Sequence, residues 1–580
     1  MNPELLLNQL DRLSDAPAAI PRLRRFILDL AVRGKLVEQD PVDEPASELL
    51  KRIQTEKARL VARGDIGRQP KLPQVSAAEI PFVIPKSWEW VRLIDLLVKL
   101  TDGTHHSPPN LAQGDFKYIT AKNIKPVGVS LEDVTYISKD IHHEIYARCN
   151  PEKGDLLYIK DGATTGVVTI NNLDEPFSLL SSVALLKASR AVSNRLLVEF
   201  LRSPFFYMQM RGFMKGAAIT RVTLKRMAPA LIPLPPIAEQ HRIVARVDEL
   251  MALCNQLEAA KAEREAFRDR LAAASLYQLN NGADAEAFCK HAHFYINHLP
   301  TLTTAPAHIQ QLRQTILTLA VRGQLVPQDP NDEFAARLLG DRRLFLDSEA
   351  ESWKLPSGWA WSSFKLIGQT LGGGTPSKAD LEFWNGSIPW VSPKDMKVDL
   401  ITDTQDHISA AAIEQSAVRL IPTGSLLMVV RGMILGHSFP TASTAVPVTI
   451  NQDMKAIVPF RPDLIHFLVF LTKGLKPEVL RLVLRSTHGT CKLLTDDLFS
   501  LPIPIPPLAE QCRIVTKVDS LMTLCDRLEE HLTTAQTESR RLLEAVLHHA
   551  LSDSLPAKLD PDRIALQPLH AAIAAGDGNE

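Results

Sequence analysis

One 27-residue stretch occurs twice in this chain. IPLPPIAEQHRIVARVDELMALCNQLE (232–258) and IPIPPLAEQCRIVTKVDSLMTLCDRLE (503–529) agree at 18 of 27 positions, at a constant offset of 271. A repeat of this kind constrains the fold more than any bulk property, because the chain must build one unit twice. A second pair is LRRFILDLAVRGKLVEQDPVDEPA (23–46) and LRQTILTLAVRGQLVPQDPNDEFA (312–335), at offset 289. A third, weaker pair is PKSWEWVRL (85–93) and PSGWAWSSF (356–364), again at offset 271. The offsets differ by 18, so the first copy holds about 18 extra residues, placed in the Lys-, Gly- and Pro-rich stretch 63–85. Each copy reads short helical segment, variable domain, long helix, over about 1–290 and 300–580. Similarity concentrates in the helical ends and falls to scattered positions across 90–230 and 360–500. A shared frame with diverged inserts points to a scaffold presenting two different reading heads.

The long helices have legible starts. Pro235-Pro236 and Pro506-Pro507 stop what precedes them, and helices begin near Ala238 and Ala509. Apolar residues then fall at Ile243, Val247, Leu250, Cys254 and Leu257, and again at Ile514, Val518, Leu521, Cys525 and Leu528. The 4-3-4-3 steps make a heptad seam. The first helix can run to about Leu279 and the second through Leu542 and Val546. About 40 residues at ~1.5 Å each give a rod of roughly 60 Å. Two such seams in one chain are expected to pack on each other, antiparallel under an internal two-fold. The alternative is two helices that each pack on their own domain. GDLLYIKDG (154–162) and GSLLMVVRG (424–432) read as strands bounded by glycine. FLRSPFFYMQMRGFMKG reads as helical. The expected class is mixed α+β: two α/β domains separated by long helices. The expected boundaries are 1–84, 85–236, 237–355 (long helix 238–279, then the repeat of the N-terminal segment at 307–345), 356–507 and 508–580.

Composition sets limits. Hydrophobic residues make up 45% and charged residues 23%, as in ordinary globular chains. The start, MNPELLLNQLDRLSDAP, does not read as a signal peptide, and no apolar run has membrane-spanning length. Six cysteines without C-x-x-C fit a reducing, cytoplasmic setting. A net charge of −1 excludes a wholly basic nucleic-acid binder but leaves room for local basic faces.

Catalytic motifs are missing from the sequence. There is no G-x-x-x-x-G-K, no G-x-G-x-x-G after a strand and no G-x-S-x-G. GGGTPSK (372–378) has the wrong spacing for a phosphate loop, and no amino-methyltransferase Asn/Asp-Pro-Pro-aromatic stretch occurs. Cys289, His291, His293 and His298 could supply four zinc ligands, but the favoured reading is a polar connector that binds no metal. His105-His106 and His142-His143 are read as solvated loop residues. Cys254 and Cys525 are read as small buried apolar groups. Basic residues cluster locally, between Phe200 and Ala230 and between Lys473 and Lys492. The residues expected to meet phosphates are Lys160, Arg211, Lys215 and Arg221 in copy one. In copy two they are Lys378, Lys394, Arg431, Arg485 and Lys492.

The P-P-[IL]-A-E-Q helix start, the A-V-R-G-[KQ]-L-V segment and GGGTPSK…WNGSIPWVSPKDMK together resemble the specificity subunit of type I restriction-modification systems. The resemblance spans nearly the whole chain, in both copies. It implies two target-recognition domains, each reading one half of a split double-stranded DNA site, with helical regions between them as a ruler. It implies a subunit with no catalysis of its own, binding no cofactor. Two methylation subunits would carry S-adenosylmethionine, and two motor-nuclease subunits would use ATP and Mg. Many relatives place the A-x-R-G-x-L segment at the C-terminus, whereas here it is AVRGKLV at 31–37, which reads as a circular permutation. Competing readings are a stand-alone DNA-binding regulator of the same type and a coiled-coil scaffold without nucleic-acid contact. A fusion carrying nuclease and methylase is disfavoured by length and by the missing motifs.

Overall fold

The computed structural model describes residues 16–69, 72–213, 221–281, 285–344, 353–485 and 489–552. The chain divides into two compact units, 1–263 with 536–580, and 264–535. Each copy's frame forms a defined set of elements, and the two sets correspond.

In the first unit the short helix Ala19–Val32 buries Leu23, Ile27, Leu30 and Ala31. These residues share a core with Ile243, Val247, Leu250 and Cys254 of the long helix Ile237–Asn280. Leu543, Leu547 and Ala550, near the end of the other long helix Leu508–Ser552, lie in the same core. The short helix runs antiparallel to the first long helix: Arg24 donates to Asn255 and Glu258, both at 2.7 Å, while Gln39 reaches back to Glu239 at 2.6 Å. In the second unit Ile309, Ile316, Leu317 and Ala320 of the helix Pro306–Val321 share a core with Ile514, Val518 and Cys525. There Arg313 donates to Asp526 at 2.7 Å and Glu529 at 3.1 Å, the same contact one copy later.

Within each unit the periodic seam is buried, with Leu257, Leu521 and Leu528 partly so. The A-V-R-G helix of the same copy shares its core. A heptad stripe specifies an apolar partner, not which one. The helix bounds came out close to the expected ones.

The 18 extra residues are also redistributed. The helix Ala46–Ala62 of the first copy has 17 residues, whereas its counterpart Ala335–Leu339 has five. Much of the insertion therefore lengthens a helix, and the stretch 63–85 takes the rest.

After the A-V-R-G helix the chain turns at Gly34 and Gly323, with φ of +66° and +70°. A Cβ there would sit 2.5 Å from Pro85 Cγ, or 2.4 Å from Pro356 Cγ. Both the left-handed backbone and the close approach demand glycine. The Pro-x-x-Trp segment that presses on this turn leads into a strand, Glu89–Arg92, paired antiparallel with Leu231–Leu234. Ala360–Ser363 pairs with Pro502–Ile505 in the same register. The proline-rich stop thus closes each variable domain by pairing its last strand with its first.

Inside each domain is an antiparallel sheet. Its order in the first is 97–102, 183–188, 156–159, 168–170, and in the second 368–372, 454–459, 426–429, 441–444, with 400–401 added at the edge by a parallel pairing. The strands Leu156–Ile159 and Leu426–Val429 are buried at every residue, which is why they read as continuous apolar runs. A three-stranded sheet stands beside each, 116–119 with 135–137 and 178–179, and 388–391 with 406–408 and 449–450. The stretch FLRSPFFYMQMRGF forms two helices, Asn194–Arg202 and Pro204–Phe213, broken at Ser203. No helix among the described residues is long and apolar enough to cross a membrane.

Candidate nucleic-acid interface

The frame holds each variable domain through one repeated polar joint. Glu239, in the first turn of the long helix, is fully buried. It accepts from Trp88 Nε1 at 2.8 Å and from Gln39 Nε2 at 2.6 Å. Glu510 accepts from Trp359 Nε1 at 2.9 Å and from Gln328 Nε2 at 3.1 Å. Burial pushes both carboxyls up, while the Trp and Gln donors and a nearby arginine pull them back down. That arginine is held in turn: Arg242 grips Asp43 at 2.7 and 3.3 Å, and Arg513 grips Asp332 at 2.6 and 3.3 Å. Gln240 and Gln511 donate back to the carbonyls of Pro235 and Pro506, at 3.0 and 2.9 Å. The P-P-[IL]-A-E-Q-x-R motif therefore fixes long helix, A-V-R-G turn and variable domain to one another. A carboxylate at a helix N-terminus is additionally favoured by the helix dipole.

The basic residues behave less uniformly than expected. Lys160 is 1% exposed. Its ammonium lies 2.8 Å from Asp161 and 3.4 Å from Asp102, both carboxylates of the same domain. It is a buried strut, so the expectation that it meets a phosphate is corrected. Arg221 lies opposite Asp161 in an isolated bridge, with Nε 3.3 Å from that carboxylate. Arg211 is exposed near the end of its helix. Lys215 lies outside the described residues.

In the second copy the picture changes. Lys378, Lys394 and Lys492 are exposed and form no ion pair among the described residues. Arg431 is half exposed, and its only carboxylate neighbour among the described residues is Asp453 at 3.9 Å. Arg485 donates to the Gly436 carbonyl at 3.1 Å and is otherwise exposed. Arg431, Arg485 and Lys492 come together: Arg431 bridges Lys492, and Lys492 pairs with Leu484 in the hairpin that carries Arg485. The glycine loop reaches the same end of the sheet. Gly374 N–H donates to Ile450 O at 2.9 Å, and the Thr375 hydroxyl donates to Gln452, next to Asp453. Sequence reading had missed Gln452 and Asp453, because nothing marks them until the two loops are seen side by side.

His142 is not a solvated loop residue: it lies on the helix Lys139–Arg148, is 4% exposed and stacks on Phe116 at 3.7 Å. Burial and His143 hold its imidazole below the usual range. Cys289, His291 and His293 alternate along the helix Ala285–Asn297, so successive ones point to different sides, and His298 follows the helix. Among the described residues, no three His, Cys, Asp or Glu side chains converge as metal ligands would. Cys254 and Cys525 are buried, as read.

The comparisons with known proteins bear on both copies. The family model described as "Type I restriction modification DNA specificity domain" matches residues 85–264 and 356–536. The specificity subunit of the type I restriction enzyme EcoAI of Escherichia coli is 29% identical, across 92% of this chain and 94% of its own length. That of EcoEI, also from Escherichia coli, is 28% identical, across 92% and 94%. That of EcoR124I/EcoR124II is 40% identical over 173 residues, 30% of this chain and 43% of its own. With its family model matching twice and covering more than half its length, the chain belongs to the type I restriction-modification DNA specificity family.

Proposed function

We propose that this chain is the non-catalytic DNA-recognition subunit of a type I restriction-modification complex. Its two variable domains each read one half of a bipartite double-stranded target, and its helical frame assembles the methylation and restriction subunits. The observation that carries this reading is the duplicated joint of Trp88, Gln39 and Glu239, and of Trp359, Gln328 and Glu510, around inserts that have diverged. One frame presenting two unlike surfaces suits two unlike half-sites.

In this reading two methylation subunits supply S-adenosylmethionine chemistry, and two motor-nuclease subunits supply ATP- and Mg-dependent translocation and cutting. The assembly works in the cytoplasm. The exposed basic residues Arg211, Lys378, Lys394, Arg431, Arg485 and Lys492 meet phosphates. The long helices are the spacer between the heads, and the chain is a circular permutation of the more common order. Support for the permutation comes from the first unit, where Arg22 pairs with Glu544 at 2.6 Å and Lys35 donates to the Leu551 carbonyl at 3.0 Å. The beginning and end of the described chain thus meet in one core.

The test is a domain exchange. Residues 90–230 are replaced by the equivalent stretch of a relative with a known target, and the host methylome is sequenced at single-molecule level. One half-site changes and the other persists. A simultaneous change in both half-sites would defeat the two-head model.

A further inference from the structure

The two variable domains differ in how charge is balanced at the same structural address. The strands Leu156–Ile159 and Leu426–Val429 occupy matching registers, Val183 facing Ile159 and Met454 facing Val429. The residues that follow therefore correspond: Lys160 with Val430, and Asp161 with Arg431. Their backbones confirm it, since Lys160 N–H donates to Ser182 O at 2.9 Å and Val430 N–H to Asp453 O at 2.8 Å. Across the bridge, Asp161 faces Arg221 and Arg431 faces Lys492. Asp102 pairs with Ala184 where Gly372 pairs with Lys455.

In the first domain each cation at this address has a carboxylate close by. Lys160, Arg221 and Arg148 stand against Asp102 and Asp161, at 2.8 to 3.5 Å. In the second the buried lysine is a valine, one acid is a glycine, and the other has become Arg431. Two cations then face each other across adjacent backbone segments. Like charges at this spacing repel. The backbone nevertheless holds them, through Gly432 N–H to Cys491 O at 3.0 Å and Leu493 N–H to Val430 O at 2.9 Å. Their one carboxylate neighbour among the described residues, Asp453, is 3.9 Å from Arg431. A rigid pair of under-compensated cations is a ready seat for an anion.

We infer that Arg431 and Lys492 form a phosphodiester seat that the first domain lacks, so the two heads grip the DNA backbone unequally. This rests on the DNA-recognition reading above and deepens it. The seat gives affinity without sequence preference, because phosphates are the same at every base pair. Asp453 tempers it by repelling the phosphate it adjoins.

The experiment uses the full chain with its own methylation subunits, on a duplex carrying the target found by methylome sequencing and on an unrelated duplex. Binding is measured by fluorescence anisotropy across a salt series. Sequence-specific binding by the unsubstituted complex is established first; its absence would overturn the DNA-recognition reading and this inference with it. The double substitution Arg431→Ala, Lys492→Ala is expected to reduce the slope of log affinity against log salt by about one to two units. It weakens both duplexes by the same factor, about ten-fold or more at ~0.1 M salt. Arg431→Lys with Lys492→Arg restores the slope, which separates loss of charge from loss of fold. Asp453→Asn tightens binding to both duplexes, and Arg221→Ala leaves the slope unchanged. The inference falls if the double alanine variant keeps the original slope, if Arg221→Ala flattens it equally, or if the loss is confined to one base pair of the target duplex.

Discussion

Asp29 sits on the A-V-R-G helix at a point where its counterpart is Thr318, whose hydroxyl simply donates back to Gln314 O at 2.9 Å. Burial pushes the Asp29 carboxyl up to about 6, against the opposing pull of Arg33, the Phe205 amide and Arg25. A carboxyl raised in the folded state is most favourable to folding when protonated, so its contribution is complete below the unfolded value of 3.8 and is lost as pH rises through about 6. Asp29→Asn should therefore match the parent in stability below about pH 4. It should gain roughly 1–3 kcal/mol above pH 6, after allowance for partial exposure. Thermal melts of both proteins from pH 4 to 8 check this; equal melting curves at pH 7.5 would contradict it. The same scale shows why charged residues were hard to read. Lys160 looked like any lysine at a strand end, and its burial depends on Asp102, which arrives from a distant strand. His142 looked solvated beside His143 because Phe116, which covers it, lies in a strand rather than in its own helix. Periodicity records which way a residue points along its own element. It does not record which side chain another element brings to meet it.

At the scale of elements, the helices and the proline-stopped strands were legible because their signals are local. Pro235-Pro236 and Pro506-Pro507 fix where the long helices start, and the 4-3-4-3 stripe fixes which face is buried. The partner of that stripe was not legible, since any apolar ridge of matching pitch satisfies it, and the A-V-R-G helix proved to be the ridge. The joint that ties these elements together is polar and buried, so it should be costly to open. Glu239→Ala would leave the Trp88 indole N–H and the Gln39 amide without their acceptor. The buried indole N–H, left unpaired, costs about 1–3 kcal/mol. Gln39 is exposed and can turn to water, so the loss should be roughly 1–3 kcal/mol in the first unit. A melting transition for that unit should fall by roughly 2–5 °C, with the half-site sequences unchanged. Glu239→Gln keeps an oxygen for Trp88 and should lose much less. An alanine variant melting like the parent would show that the joint is not what holds the domain to the helix.

At the scale of the whole molecule, both long helices pass from one unit into the other. The division falls between Glu263 and Arg264 in the first and between Ala535 and Gln536 in the second, nearly equivalent points of the repeat. Each helix gives its first part to the core of its own copy. In the second helix the remaining part carries Leu543, Leu547 and Ala550 into the first unit's core. In the first helix it carries Ala272, Leu276 and Leu279 into a cluster with Tyr295 and Leu302. The stretch around Ala262 and Thr534 lies between these packed parts. If the helices set the distance between the heads, that is where length can be added without disturbing either core. Inserting four residues after Ala262 and four after Thr534 adds about one turn to each helix, about 6 Å. At ~3.4 Å per base pair of B-DNA, the tolerated gap between half-sites should grow by about two base pairs, while both half-site sequences stay the same. Both helices are extended together, because each runs from one unit into the other. Methylome sequencing of a host carrying the doubly extended chain reads gap and half-sites at once. Efficient methylation at the original gap alone would mean that the helices do not measure the target, and that the spacing is set within the variable domains.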